Sequence, residues 1–212
     1  TIDAKCAAPF VGLDDDKVAF TVDRLHVESG PEVHRSDRLT AQIEKTPGSV
    51  DLYSQRGDRN FFLGNFAAAA ADYDRMATIN TALESEHWRR GIAWFYAGEY
   101  EKAANQFEQY HSFDNVDREN GIWRYLCQRK AYGLEKAREG LLKYEKDDRE
   151  PFGDVYQLFQ GKLTSDMLLQ KIQDAKVSDA ERQKRQFYAE LYVGLNDAVE
   201  DRHESARKHL RS

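Results

Sequence analysis

The chain has 212 residues, of which 41% are hydrophobic and 32% are charged, and its formal net charge is −6. Its 4 Pro and 13 Gly argue against a collagen-like or many-turned all-β chain, whereas 11 Phe, 11 Tyr and 3 Trp argue against disorder. The acidic balance disfavours a nucleic-acid-binding protein, and the sequence lacks the 18 consecutive apolar residues that a membrane-spanning helix requires.

Residues 1–36 do not follow the pattern of the remaining chain, and we assign them to an irregular N-terminal segment. Within this segment, Val18, Phe20 and Val22 alternate with polar residues, which favours a short extended segment or strand. Asp14–Asp16 resembles the start of a cation-binding loop. No downstream Gly and Glu complete an EF-hand, so we interpret these residues as a solvated acidic loop.

A 34-residue period runs through the middle of the chain. Residues of similar type recur 34 positions apart, and each such set is called a column. The columns are alanine (Ala69, Ala103 and Ala137), two sets of large apolar residues (Tyr73, Phe107 and Leu141; Phe66, Tyr100 and Leu134), glycine (Gly57 and Gly91, with Gly64 and Gly98) and arginine (Arg56, Arg90 and Arg124). A glycine that ends one helix, followed by an aromatic residue that packs in the next, is typical of paired helices. The small alanine allows the two helices of a pair to approach closely. The period predicts antiparallel helix pairs within 37–146, followed by degenerate repeat-like helices over 147–212.

The hydrophobic spacing and the turn residues predict eleven helices. They are expected at 37–46, 50–63, 66–80, 84–97, 100–113, 118–132, 134–146, 152–160, 164–175, 179–195 and 200–211. Thr164 and Ser178 are predicted as N-cap residues, and Glu181 completes a capping box with the second.

The period and its columns match the tetratricopeptide repeat (TPR) pattern, and the chain resembles this family. The resemblance implies an all-α fold, a solenoid of helical hairpins wound as a right-handed superhelix, with irregular parts at both ends.

The segment 86–103, EHWRRGIAWFYAGEYEKA, resembles a bacterial TPR subtype. Later runs at 122–126, 137–142, 155–164 and 186–194 are similar to NlpI-type periplasmic lipoproteins. Those proteins are adaptors that hold proteases and cell-wall hydrolases without catalysis of their own. The resemblance therefore implies a periplasmic protein or one anchored through an upstream segment, and a cytoplasmic location is the alternative.

Two cysteines, Cys6 and Cys127, are too few for a disulfide framework or a Cys-rich metal site. Asp3, Ala4 and Lys5 precede Cys6, and they do not provide the small-residue context of a lipid-attachment site. We therefore expect any lipid anchor to lie upstream of Thr1.

The arginines of the periodic column fall where TPR helices usually carry apolar side chains. A half-buried guanidinium group needs carboxylate or carbonyl partners. We predict a structural role, with Asp72 or Asp74 as the partner of Arg56, and Glu108 or Asp74 as the partner of Arg90.

In a TPR superhelix the first helix of each pair lines the concave groove, and the resemblance places ten residues of this chain there. These predicted groove residues are Phe61, Phe62, Trp88, Ile92, Phe95, Tyr96, Ile122, Leu126, Arg129 and Lys130. Aromatic side chains in the middle and cations at one end suit a protein or peptide client. The alternative is that residues 1–36 or a C-terminal helix already fill the groove.

No HExxH, P-loop, GxSxG or CxxC motif occurs, and the six histidines are scattered, so we predict no metal, no cofactor and no enzyme activity. The sequence favours a non-catalytic scaffold that binds a protein or peptide client, in envelope assembly or proteolysis control as the resemblance implies. The alternatives are a self-assembling oligomerisation module, which would be a homo-oligomer, and an enzyme whose site the sequence does not reveal.

Overall fold

The computed structural model describes the backbone of residues 11–14, 17–22 and 31–212, and the side chains from residue 38 onward. This part of the chain is helical apart from one two-stranded hairpin, so the predicted all-α class is confirmed. The expectations for Cys6 and for Asp15–Asp16 lie outside the described residues.

The hairpin pairs β1 (Val11–Asp14) with β2 (Lys17–Val22) in antiparallel register, Val11 opposite Val22. β2 is the strand that the alternating residues of this segment predicted. The helices are α1 (Pro31–Lys45), α2 (Val50–Phe62), α3 (Phe66–Ile79), α4 (Leu83–Glu86), α5 (Trp88–Tyr96), α6 (Tyr100–Phe113), α7 (Arg118–Tyr132), α8 (Leu134–Glu139), α9 (Phe152–Phe159), α10 (Ser165–Asp174), α11 (Asp179–Val199) and α12 (His203–Leu210).

Short turns separate the paired helices. Gly64 and Gly98 adopt φ values of 78° and 83° directly after α2 and α5, a left-handed conformation that glycine adopts without steric cost. The predicted N-caps at Thr164 and Ser178 are confirmed, because their hydroxyl oxygens accept hydrogen bonds from the backbone N–H of Met167 and Glu181.

Several predicted helices have different bounds in the structure. The helix expected over 37–46 begins at Pro31, so residues 31–36, assigned to the irregular N-terminal segment, are helical; proline suits the first position of a helix. The helix expected over 200–211 begins at His203. The helix expected over 84–97 is interrupted at His87, whose ring Nδ1 caps α5 by accepting from the backbone N–H of Arg90 at 3.3 Å. The helix expected over 134–146 ends at Glu139, because Gly140 is a poor helix former and its carbonyl oxygen accepts a hydrogen bond from Arg124. The helix expected over 179–195 continues to Val199.

Helices that follow one another in the chain pack against one another. α2 packs on α3, α3 on α5, α5 on α6 and α6 on α7, and α11 then contacts α7, α9 and α12. Ala69, Ala103 and Ala137 are all fully buried where the paired helices meet. One continuous apolar cluster extends from Ile43 to Leu210.

The 34-residue period is visible in the contacts as well as in the sequence. A methyl group added to Gly57 would lie 2.7 Å from the ring of Tyr73, and one added to Gly91 would lie 2.7 Å from the ring of Phe107. Each glycine therefore leaves room for an aromatic ring on the second helix of its pair. This is a repeated packing unit that only glycine permits.

Candidate functional site

Arg56 on α2 connects two neighbouring helices. Its Nη2 lies 2.6 Å from Asp72 Oδ1 and its Nε lies 3.0 Å from Asp72 Oδ2, so two N–H groups share one carboxylate on α3. Its Nη1 donates to Thr40 Oγ1 on α1 at 3.0 Å. The hydrogen bonds that Arg56 donates to Asp72 raise the pKa of Arg56. Asp72 is one of the two partners predicted for this arginine.

Arg90 on α5 makes the equivalent connection one repeat later. Its Nε donates to Gln106 Oε1 on α6 at 2.7 Å, and its Nη1 lies 3.7 Å from Asp74 Oδ1 on α3. Its Nη2 also donates to the carbonyl oxygen of Glu84 at 3.0 Å. Burial lowers the pKa of Arg90, and the charges of Asp74 and Glu84 oppose that shift. Asp74 was predicted for this position, whereas Gln106 was not.

Arg124 on α7 provides the third connection. Its Nη2 lies 3.1 Å from Glu108 Oε2 on α6, and its Nη1 donates to the carbonyl oxygen of Gly140 just after α8. Glu108 therefore pairs with Arg124, and its predicted pairing with Arg90 is corrected. The reason is register, because Glu108 occupies the same place before Arg124 as Asp74 does before Arg90.

All three arginines contact a residue 16 positions before and another 16 positions after themselves. The preceding partners are Thr40, Asp74 and Glu108, and the following partners are Asp72, Gln106 and Gly140. The sequence prediction considered only carboxylates in detail and missed the amide, the hydroxyl and the specific carbonyl. The available signal was the spacing itself, since both partner columns repeat with the same period as the arginines.

Half of the predicted groove residues lie in the core. They are Phe61, Ile92, Phe95, Ile122 and Leu126, each at most 3% exposed. The prediction that these five line a groove surface is corrected, because α5 and α7 are covered by neighbouring helices on several sides. Helical spacing alone does not distinguish a surface stripe from a core stripe when a helix is enclosed in this way.

The aromatic residues at these positions form a connected cluster. Phe66 stacks on Tyr96 with ring centroids 4.7 Å apart, Tyr96 contacts Phe95 at 5.3 Å, and Phe95 contacts Trp123 at 5.6 Å. Phe61 joins the cluster through Phe66 at 5.5 Å. Edge-to-face and offset arrangements of this kind favour tight packing, so the cluster rigidifies the junction between the first two helix pairs.

Phe62, Trp88 and Tyr96 are the predicted groove aromatics that remain partly or largely exposed. Phe62 at the end of α2 is 51% exposed, and its neighbour Leu63 is 40% exposed. Trp88 and Tyr96 at the two ends of α5 are partly exposed. These side chains are the apolar surface that α5 and the end of α2 present.

A polar link joins α2 to α5 beside these aromatics. Arg89 Nη1 lies 2.7 Å from Asp58 Oδ2, and the hydroxyl of Tyr73 donates to Asp58 Oδ1 at 2.7 Å. The Arg89 guanidinium also lies over the Trp88 ring, 5.3 Å from its centroid. Burial, followed by the bond to Asp58, raises the pKa of Tyr73. The link fixes the orientation of the first residues of α5.

The third helix pair is covered by α11. The hydroxyl of Tyr192 donates to Glu119 near the start of α7, and Arg129 near the end of α7 pairs with Glu200 directly after α11 at 2.7 Å. Arg129, predicted as a basic end of the groove, is therefore paired within the chain, while Lys130 is partly exposed. The alternative that a C-terminal helix fills the groove stays a prediction; the structure shows that α11 packs on α7.

Three carboxylates lie close to Arg149, which precedes α9 and contacts the start of α7. Its guanidinium contacts Glu119, lies 3.3 Å from Asp148 Oδ1 and lies 3.8 Å from Asp117 Oδ1. Burial and the charge of Glu119 raise the pKa of Asp117 to about 7, and burial raises the pKa of Glu119. One cation among three acids leaves an excess of negative charge, so this cluster responds to pH near neutrality.

In the described ranges, no group of three or more His, Cys, Asp or Glu side chains is placed to bind a metal ion. None of the helices of the described chain has the length and apolar character needed to cross a membrane. No protein-family model matches the chain.

Proposed function

We propose that the chain is a TPR-type solenoid that serves as a non-catalytic scaffold for protein–protein interaction. The observation that carries this proposal is the arginine contact that recurs three times at 34-residue spacing, each time 16 positions before and after the arginine. Repeat proteins built from such units present an extended surface, and binding a protein or peptide is what that surface suits.

The surface that we assign to the client is formed by the exposed aromatic and aliphatic side chains of α5 and of the end of α2. Phe62 and Leu63 are largely exposed, and Trp88 and Tyr96 are partly exposed. Large apolar side chains on a surface commonly mark an interaction site, and Trp and Tyr are enriched among residues that dominate binding energy. The client would supply apolar side chains of its own.

The third helix pair contributes less to this surface, because α11 already occupies it. Tyr192 and Glu200 bind the two ends of α7 through Glu119 and Arg129. We therefore place the client on α2 and α5 alone. The resemblance to NlpI-type adaptors would make this client an envelope protease or a cell-wall hydrolase.

Site-specific photo-crosslinking tests the proposal. A photoreactive phenylalanine analogue replaces Phe62 in one variant and Phe113 in a control variant; Phe113 is 58% exposed on α6 and outside the proposed surface. We expect Phe62 to crosslink to one defined protein in cells of the source organism, and Phe113 to give no such product. Equal crosslinking from both positions, or none from Phe62, would overturn the assignment of the surface.

A second experiment distinguishes binding to a client from binding to a second copy of the chain. Purified wild-type protein is measured by light scattering over a range of concentrations, together with Phe62→Ala. A monomer that still captures the crosslinked protein supports the scaffold. A concentration-dependent oligomer that Phe62→Ala dissociates supports the self-assembling module and contradicts the scaffold.

A further inference from the structure

A cavity of about 490 Å³ lies between α10, α11 and α12, on a part of the chain that the arginine contacts do not reach. This volume falls in the range of small-molecule sites, which are typically concave and mainly apolar with a few oriented polar groups. The proposed scaffold function does not use this cavity. Its walls therefore require a separate explanation.

Four polar side chains of the wall form one continuous hydrogen-bonded chain across the three helices. Gln173 Nε2 on α10 donates to Gln186 Oε1 on α11 at 2.5 Å, and Gln186 Nε2 donates to Glu190 Oε1 at 3.0 Å. Glu190 Oε2 then lies 2.5 Å from His209 Nδ1 on α12. Because these groups bond to one another, they leave little unsatisfied polarity for a ligand.

The two charged side chains of the wall are already engaged. Arg182 Nη1 donates to the carbonyl oxygens of Ile172 and Gln173 at 2.9 and 2.5 Å. Glu190 accepts from Gln186 and lies 2.5 Å from His209 Nδ1. A charged ligand that entered the cavity would lose its hydration and would have to displace these contacts to gain a partner.

Gln183 and Ser212 complete the polar lining, and the apolar lining is Phe187, Leu191 and Leu210. Phe187 is 40% exposed although it lies on a helix whose later turns are buried, Leu191 is partly exposed, and Leu210 closes the cavity from α12. Covering these three side chains with an apolar ligand would remove their exposed surface from water. This burial is favourable in proportion to its area.

We propose that the cavity between α10, α11 and α12 is a binding site for a small, neutral, mainly apolar ligand with a ring system, held by Phe187, Leu191 and Leu210. The hydrogen-bonded wall from Gln173 to His209 holds the three helices in the arrangement that keeps the cavity open. The preference for neutral ligands follows because Arg182 and Glu190 already bond to groups of the chain.

Three ring-matched probes test the site on the whole chain by amide NMR titration. They are 1-naphthol, which is neutral at pH 7, 1-naphthoate, which is an anion, and 1-naphthylmethylamine, which is a cation. We expect 1-naphthol to shift the amides around Phe187–Leu191 and His209–Leu210, and both charged probes to bind at least tenfold more weakly. Equal affinities for the three probes, or shifts confined to other helices, would overturn the proposal.

Variants locate the binding independently of the shifts. Phe187→Ala removes part of the apolar lining from a half-exposed position, and we expect it to weaken 1-naphthol binding at least fivefold while the fold is retained. Met167→Ala is the matched control, because Met167 is 51% exposed on α10 and does not line the cavity. Leu191→Trp fills the cavity and should abolish binding. Unchanged affinity in Phe187→Ala would contradict the site whether or not Leu191→Trp folds.

Discussion

Arg56 and Asp72 meet through two N–H···O contacts, whereas the equivalent contact one repeat later joins Arg90 to the neutral amide of Gln106. The first contact is charge-assisted and engages both carboxylate oxygens, and such paired contacts are among the strongest hydrogen bonds in proteins. The Asp72 side chain is only 5% exposed. Its charge therefore depends on Arg56 for compensation, and the helices α2 and α3 depend on that pair for their register.

Replacing Arg56 with Ala should destabilise the protein by about 3 kcal/mol, because a buried carboxylate would lose its partner. Arg56→Lys should lie between wild type and Arg56→Ala, since one ammonium group cannot engage both oxygens in the same planar geometry. Urea unfolding followed by circular dichroism measures both losses. Arg75→Ala, at an exposed position on α3, is the control and should change stability by less than about 0.5 kcal/mol. Similar losses at positions 56 and 75 would refute the role of the pair.

The contact between a glycine and a neighbouring ring predicts that Gly→Ala lowers stability at position 91 and raises it at position 153. Gly91→Ala places a methyl group 2.7 Å from the buried ring of Phe107, which should cost about 1–3 kcal/mol because the ring has no free space to move into. Gly153 on α9 has no atom within 4 Å of an added methyl group. Gly153→Ala should stabilise the protein by about 0.5–1 kcal/mol through helix propensity alone.

Thermal unfolding of Gly91→Ala, Gly153→Ala and wild type measures the sign of both stability changes. A stabilised Gly91→Ala would mean that Phe107 yields at no cost and that the repeated contact is not a packing constraint. A destabilised Gly153→Ala would show that glycine has another role in α9.

The helices and their pairing were predictable because small, aromatic and glycine residues recur at one period. The position of Ala103 at zero exposure and the ring contacts of Gly57 and Gly91 follow directly from that period. The early end of α8 was only partly predictable from local sequence, because Gly140 is a poor helix former but the hydrogen bond that also ends the helix is not local. That bond runs from Arg124, on the preceding helix, to a carbonyl that any residue type could have supplied.

The candidate binding surface was predictable only in part. The spacing of Ile92 and Phe95 is the same whether a helix faces solvent or a neighbouring helix, and the structure buries both. The positive charge of Arg129 predicted a residue that attracts an acidic client. Glu200, which lies 71 positions later in the chain, pairs with this charge. Long-range pairing of this kind leaves no periodic signal in the sequence.

His87 should make stability fall as the solution becomes acidic. Burial lowers its pKa to about 4, below its ordinary value of 6.5, and the charges of Arg89 and Arg90 add to this shift. The neutral ring caps α5 through Nδ1. A group with a depressed folded pKa contributes stability that is present above the unfolded pKa and is lost as pH falls through the folded pKa. The loss should therefore develop between pH 6.5 and 4, and a shift of this size corresponds to about 3 kcal/mol.

His87→Asn tests this dependence, because asparagine retains a capping side chain and does not titrate. Chemical unfolding at several pH values should show a weaker fall in stability between pH 6.5 and 4 for the variant than for wild type. His203→Asn, at an exposed position, should follow the wild-type profile. A wild-type profile in His87→Asn would show that the pKa of His87 is the same in the folded and the unfolded protein.

Asp117 should make stability rise as the solution becomes acidic, over nearly the same pH range in which His87 makes it fall. Burial and Glu119 raise its pKa from 3.8 to about 7, and only Arg149 and a backbone hydrogen bond oppose that shift. A raised carboxyl pKa means that the folded protein binds the proton more tightly than the unfolded chain does. Its contribution to stability is therefore complete below pH 3.8 and is lost as pH rises from 3.8 to about 7. In wild type this gain on acidification offsets the loss at His87, so the pH profile of the intact protein should be flatter than either contribution.

Asp117→Asn separates the two effects. Asparagine keeps the N-cap of α7 but carries no charge, so at pH 8 the variant should be more stable than wild type by about 2–3 kcal/mol, allowing for solvent screening at a partly exposed side chain. The advantage should shrink as the pH falls towards 4, where the wild-type carboxyl is protonated. The fall in stability that His87 causes should then appear unmasked in Asp117→Asn and disappear again when His87→Asn is added. Asp166→Asn, in the exposed first turn of α10, provides the control for removing a negative charge from a helix start. An Asp117→Asn protein that is less stable than wild type at pH 8 would mean that the pair with Arg149 outweighs both burial and the repulsion from Glu119.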